Sequence, residues 1–147
     1  MESRNATKND SKDIFDWRND PITRKSFFNH SVINWTEHQQ WFEYKLSDES
    51  CILVIVEENL SKLGVVRYDK KDKFYSVSLN TNPLFRRKGL SSKILLCSEN
   101  ILKEKEKQTE INAEILNDNS NSKKTFLKAG YKIKIEGKEF STYVKFI

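Results

Sequence analysis

The stretch Asn82-Pro83-Leu84-Phe85-Arg86-Arg87-Lys88-Gly89-Leu90-Ser91-Ser92 gathers residue types that can hold an anion. Three consecutive cations precede a glycine and two small hydroxyl residues, and an amphipathic helix follows to about Lys107. The first amides of a helix lack intrahelical partners and carry the positive end of its dipole, so they attract phosphate. Arg86, Arg87 and Lys88 add side-chain charge, Gly89 lets the backbone approach a ligand, and Ser91 and Ser92 add donors. The first turn holds no Asp or Glu to offset the dipole. The Walker A ending and the dinucleotide glycine fingerprint are both missing, which separates this loop from those two phosphate binders.

The elements around the loop can be read from periodicity and punctuation. Phe74 to Leu79 alternates as a strand leading into it. Upstream, Glu2 to Ala6 reads as a short first strand and Ser11 to Asn19 as a helix capped by Asp10 or Ser11. Asn19-Asp20-Pro21 ends that helix, and Ile22 to Trp35 reads as a loop with one helical turn. Thr36-x-x-Gln39 has the form of a capping box opening a helix through Leu46. Cys51 to Glu57, Lys62 to Asp69 and Phe74 to Leu79 then form an antiparallel meander, joined by turns at Asn59-Leu60-Ser61 and Lys70 to Lys73. Past the central helix, Glu110 to Leu116 reads as a parallel strand, Asn121 to Lys128 as a helix closed by Gly130, and Tyr131 to Glu136 and Glu139 to Phe146 as strands joined at Gly137-Lys138.

With 147 residues and 37% hydrophobic content, the chain is expected to form one domain, 1–147, with its own core. The net charge of +5 favours acidic partners, but 26 Lys and Arg are interleaved with 21 Asp and Glu, without the clustering of a nucleic-acid stripe. Cys51 and Cys97 lie in apolar runs with no spacing for zinc, so no metal site is expected and both read as free thiols in a reducing compartment. No stretch has the apolar length of a membrane span, so the expectation is a cytoplasmic protein without membrane partners.

The spacing Arg86-x-x-Gly89-x-Ser91 resembles the pyrophosphate loop of the GNAT-type N-acetyltransferases. Asn119-x-x-Ser122-x-x-x-Phe126-x-x-x-Gly130-Tyr131 is similar to a second motif of that family, and the order of strands and helices matches it too. The resemblance implies an α+β fold with a mixed, largely antiparallel sheet of six to seven strands, splayed at the cofactor cleft and flanked by about four helices. Trp17-Arg18-Asn19-Asp20-Pro21, Arg24, Asn29, Ile33 and Trp35 to Phe42 resemble the branch that acetylates amino groups on nucleotide-linked sugars, as in pseudaminic-acid pathways.

For the site, the resemblance implies acetyl-coenzyme A as co-substrate. Val77, Leu79 and Thr81 would meet its pantetheine arm, and the loop from Arg86 through Arg87, Lys88, Gly89, Leu90 and Ser91 to Ser92 its pyrophosphate. Asn119, Ser122 and Phe126 would approach from the last helix. The family's strand glutamate falls at Ser76 and its helix tyrosine at Phe126, so neither ordinary proton carrier is present. Ser76 and Ser78 are left to order water, with His38 and His30 as candidate bases. Trp17, Arg18, Asn29 and Trp41 are candidates for gripping a nucleotide sugar, while Trp17, Trp41, His38 and Phe126 also read as core. The expected reaction is direct attack of a small amine in a ternary complex, by a monomer or homodimer. The alternatives are a protein N-terminal or ribosomal-protein acetyltransferase, a non-catalytic acyl-coenzyme A sensor and a nucleic-acid-binding domain.

Overall fold

The computed structural model describes residues 1–147. A seven-stranded sheet has the order β1-β2-β3-β4-β5-β7-β6. The strands are β1 (Glu2–Asn5), β2 (Cys51–Glu58), β3 (Ser61–Lys70), β4 (Phe74–Thr81), β5 (Glu110–Leu116), β6 (Lys132–Ile135) and β7 (Phe140–Phe146). All neighbours pair antiparallel except β4 and β5, which are parallel. Five helices flank it: α1 (Ser11–Asn19), α2 (Pro21–Lys25), α3 (Trp35–Ser47), α4 (Ser91–Lys105) and α5 (Ser120–Lys128).

The expected meander, the parallel crossover through α4 and the sheet size are all present. One local reading sharpens and two change. The segment after Pro21 forms the short helix α2, capped by the Asp20 carboxylate, which accepts from the amides of Ile22 and Thr23 at 3.1 and 3.0 Å. Helix α3 is capped by Asn34, whose side chain accepts from the Glu37 amide at 2.8 Å, so the helix starts before the expected box at Thr36. The last hairpin turns over Glu136 to Glu139 rather than tightly at two residues; a Cβ on Gly137 would lie 2.1 Å from the Phe140 carbonyl, so only glycine fits there.

Both faces of the sheet are covered, which is why β2 carries an unbroken apolar run, Ile52 to Val56, instead of an alternating one. One face packs Val54, Val66, Tyr68, Tyr75, Val77, Ile111 and Tyr143 against Ile94, Leu95 and Leu102 of α4 and Phe126 of α5. The other packs Leu53, Ile55 and Val65 against Ile14 and Trp17 of α1 and Phe42 of α3. A charged clasp holds α1 to the sheet edge. The Asp10 carboxylate, 1% exposed, meets Arg4 of β1 at 2.8 Å and Lys62 of β3 at 2.8 Å, and it also accepts from the Thr7 amide at 2.8 Å. Burial alone would raise the pKa of this acid, but those donors hold it well below the usual carboxylate range.

Candidate acetyl-transfer site

The central strands part company where the site is expected. β4 and β5 pair through Phe74–Glu110, Tyr75–Ile111 and Ser76–Asn112, and no further. On its other side β4 stays paired with β3 to Thr81. Parity follows from two bonds: the Asn82 amide donates to the Leu63 carbonyl at 2.8 Å, and the Lys71 amide to the Phe74 carbonyl at 2.8 Å. Even-numbered residues of β4 therefore bond to β3, and odd-numbered ones turn their amide and carbonyl the other way. Val77 stands at the fork, and Leu79 and Thr81 present free backbone groups to the gap that β5 has left.

At the end of β4 the chain is drawn into the loop by Asn82, whose side chain donates to the Lys62 carbonyl at 2.8 Å and accepts from the Leu84 amide at 3.1 Å. Arg87 and Gly89 then take left-handed conformations, φ 59° and 67°, and Leu90 returns to right-handed helical geometry. Successive amides of opposite-handed residues converge into a concave nest that suits an anion. The amides of Gly89 through Lys93 find no acceptor within the chain; the first bond of the new helix runs from the Ile94 amide to the Leu90 carbonyl at 2.8 Å. No acid occupies the first turn of α4. Nothing lies within 4 Å of where a Gly89 Cβ would sit, so that side of the loop is open for a ligand. Arg87, Lys88 and Gly89 are exposed, Leu90 and Ser91 half-buried, and Ser92 buried. The Ser91 and Thr81 hydroxyls are 3.1 Å apart, tying α4 to the end of β4.

Arg86 departs from the rest of its loop. Its guanidinium bonds the Asp20 carboxylate and the Thr23 hydroxyl of α2 instead of facing the nest. Across the gap, Asn119 uses its side chain to cap α5, accepting from the Ser122 amide at 3.1 Å. Phe126 is 4% exposed and packs edge-on against Tyr131 at 5.0 Å, so its ring belongs to the core.

On the opposite face of the fork, Ser76 and Ser78 share their side of the sheet with Asp69 and Arg67, their register partners on β3. Both serines are half-buried. Asn112, paired with Ser76, is 7% exposed and leaves its Oδ1 without a partner, an orphaned acceptor beside the parting strands. Sequence reasoning passed over it because one polar residue in a strand is commonplace; only the register puts it at the fork. Arg18 stacks on Phe27 at 4.0 Å and donates to the Asn29 carbonyl at 3.3 Å. Arg67 lies 5.5 Å over the Trp41 ring. The Asn29 side chain accepts from the Ser31 amide at 2.9 Å, and Asn29 and His30 are both exposed.

Two candidates turn out to be packing residues. Trp17 is 6% exposed within the core under α1, and its ring has no open face for a sugar. His38 is 2% exposed, with Nε2 2.9 Å from the Ser11 carbonyl and its ring enclosed by Phe15, Trp35, Trp41 and Phe42. Burial lowers its pKa and keeps it neutral, and its Nε2 is taken up by Ser11. Burial likewise pushes the Cys51 thiol up to about 12, too high for a nucleophile at neutral pH. No group of three His, Cys, Asp or Glu residues is placed to hold a metal, and no helix is long and apolar enough to cross a membrane.

Comparison with known proteins gives the same framework. A domain from Methanocaldococcus jannaschii superposes with a TM-score of 0.80 at 23% identity, covering 99% of this chain and 97% of that one. Aminoglycoside acetyltransferase AAC(6')-Ib in complex with coenzyme A superposes at 0.82 with 16% identity, covering 98% and 93%. The Campylobacter jejuni N-acetyltransferase PseH in complex with acetyl coenzyme A gives 0.72 at 18% identity, covering 98% and 96%. No curated protein sequence matches significantly. The family model described as an acetyltransferase (GNAT) domain matches residues 3–132. The chain therefore belongs to the GNAT acetyltransferases, enzymes that move an acetyl group from acetyl-coenzyme A to an acceptor.

Proposed function

We propose that the chain acetylates the primary amine of a nucleotide-linked amino sugar, by direct attack on acetyl-coenzyme A in a ternary complex. The observation that carries this reading is the parting of β4 from β5 after Ser76–Asn112, next to the unpaired amides of Gly89 through Lys93. The nest suits the pyrophosphate, and the free backbone groups of Leu79 and Thr81 suit the amides of a pantetheine arm. When bound, acetyl-coenzyme A supplies the reactive thioester. An amide pointing into the gap between parted strands is also the kind of donor that stabilises a developing oxyanion, a role for Leu79.

On the acceptor side, no carboxylate of β4 stands ready as a base. Ser76, Ser78 and the orphaned Asn112 oxygen can orient the amine and a water that takes its proton, which suffices for an amine already neutral at working pH. The acceptor class rests on the resemblance of the Trp17–Pro21 and Trp35–Phe42 segments, and on the structural likeness to PseH. Arg18 and Trp41 remain candidates for holding this acceptor, whereas Trp17 is withdrawn to the core.

The test is thiol release from acetyl-coenzyme A against UDP- and dTDP-linked amino sugars, aminoglycosides, polyamines and basic peptides. Turnover is expected with a nucleotide sugar. Turnover with peptides alone would overturn the acceptor, and coenzyme A binding without turnover across the panel would favour an acyl-coenzyme A sensor.

A further inference from the structure

Arg18 of α1 and Arg24 of α2 reach the neighbouring carbonyls of Asn29 and His30, and Arg67 of β3, paired in register with Ser78, is near enough for Arg18 to feel its charge. No carboxylate pairs with Arg18 or Arg24; Arg67 has Asp69 at 2.7 Å, but Asp69 is shared with Lys45, also at 2.7 Å. The charge of the group is thus poorly offset. Burial first, and then the fields of Arg67 and Arg24, lower the Arg18 pKa from its ordinary value.

The donors are as poorly matched as the charges. Arg18 Nη2 and Arg24 Nη1 each reach a loop carbonyl, of Asn29 and His30, at a long 3.3 Å. Arg18 Nη1 and Arg24 Nε are buried with no partner at all. A buried guanidinium N–H without an acceptor is costly, and proteins leave few of them. Arg67 spends its Nε on Asp69, and its guanidinium carbon lies 5.5 Å from the Trp41 ring centroid. Because Arg67 pairs in register with Ser78, it projects on the side of the sheet where the amine must enter.

We infer that Arg67, together with Arg18 and Arg24, forms a binding site for an anionic group of the acceptor, a phosphate or a carboxylate. The inference rests on the acetyl-transfer reading and makes Arg67 the specificity-determining residue. An anion here supplies the acceptor that the free guanidinium donors lack, and it replaces the two long bonds to the loop. The same cluster repels polycations, so aminoglycosides, which occupy the structural neighbour AAC(6')-Ib, are expected to be poor substrates of this chain.

The test is calorimetric titration of the protein saturated with coenzyme A, which fills the nest, using UDP, inorganic pyrophosphate and succinate as probes. The wild type is expected to bind at least one of them, with UDP and pyrophosphate ahead of succinate if the natural group is a phosphate and the reverse if it is a carboxylate. Arg67→Gln should weaken that binding at least tenfold at unchanged coenzyme A affinity, and Arg67→Lys by less. Absence of binding by all three probes, or equal binding by wild type and Arg67→Gln, would overturn the inference. Failure to bind coenzyme A in the first place would instead overturn the acetyl-transfer reading beneath it.

Discussion

Arg86 and Asp20 join two segments far apart in sequence: the cation lies in the basic loop before α4, and the acid caps α2. The pairing holds Asp20 below its ordinary pKa, first through the Arg86 hydrogen bond, and it ties the basic loop to α2. A partly exposed ion pair of this kind is worth about 1 kcal/mol. Arg86→Met is therefore expected to raise KM for acetyl-coenzyme A and for the acceptor together, each about fivefold by that energy. Steady-state kinetics with both substrates varied checks it; a rise for acetyl-coenzyme A alone would make Arg86 a simple phosphate ligand.

Gly89 separates backbone strain from ligand exclusion. Its φ of 67° disfavours any side chain, yet a Cβ there meets no atom. Gly89→Ala should cost about 1 kcal/mol of stability by the left-handed penalty. Gly89→Glu should cost about the same in stability but also place negative charge in the nest, lowering coenzyme A affinity by about a hundredfold or more, near 3 kcal/mol. Melting curves and calorimetric titration read the two effects separately.

His38→Ala is expected to lower stability by about 2 kcal/mol through the lost packing, with the pH profile of kcat unchanged. Because burial lowers the folded-state pKa, the unfolded chain binds the proton first. The stability contributed by neutral His38 is full above the unfolded value of about 6.5 and drains away as pH falls toward the folded one. Thermal melts between neutral and mildly acid pH should show that loss in the wild type and not in His38→Phe.

The Asp10 clasp acts lower on the scale. Its folded pKa is depressed, so its contribution is present above the unfolded value of about 3.9 and is lost as pH falls further toward the folded one. Asp10→Asn leaves Arg4 and Lys62 facing each other without the charge between them, a change expected to cost about 3 kcal/mol at neutral pH and to flatten the acid limb of the stability curve. Denaturant titrations at neutral and acid pH check both parts.

Much of the framework was legible in the chain itself. The strand periods, the glycine and proline stops and the basic loop before α4 are local signals, and local signals set β2, β3, β4, β5 and α4 within a residue or two. The Asn34 cap was misplaced because several residues near that boundary can cap, and the choice is made by what the preceding loop packs against. The basic loop follows the same rule: a nest is built by consecutive residues, so the stretch Arg87 to Ser92, proposed to meet the pyrophosphate, could be singled out from its order.

The proposed acceptor half was legible only in part: Arg18 and Arg24 stood out in the segment from Trp17 onward, whereas Arg67 and Asn112 are distant in sequence and individually ordinary, and only sheet register places them on the side of Ser78 and Ser76. The same packing removed Trp17 and His38, whose residue types suited binding and catalysis but whose positions lie beneath α1 and inside an aromatic cage. Residue order alone carried the basic loop and the resemblance to the family. The fork after Ser76, the diversion of Arg86 to Asp20 and the arginine cluster were decided by tertiary structure, because burial and register are properties of the folded chain and of no segment within it.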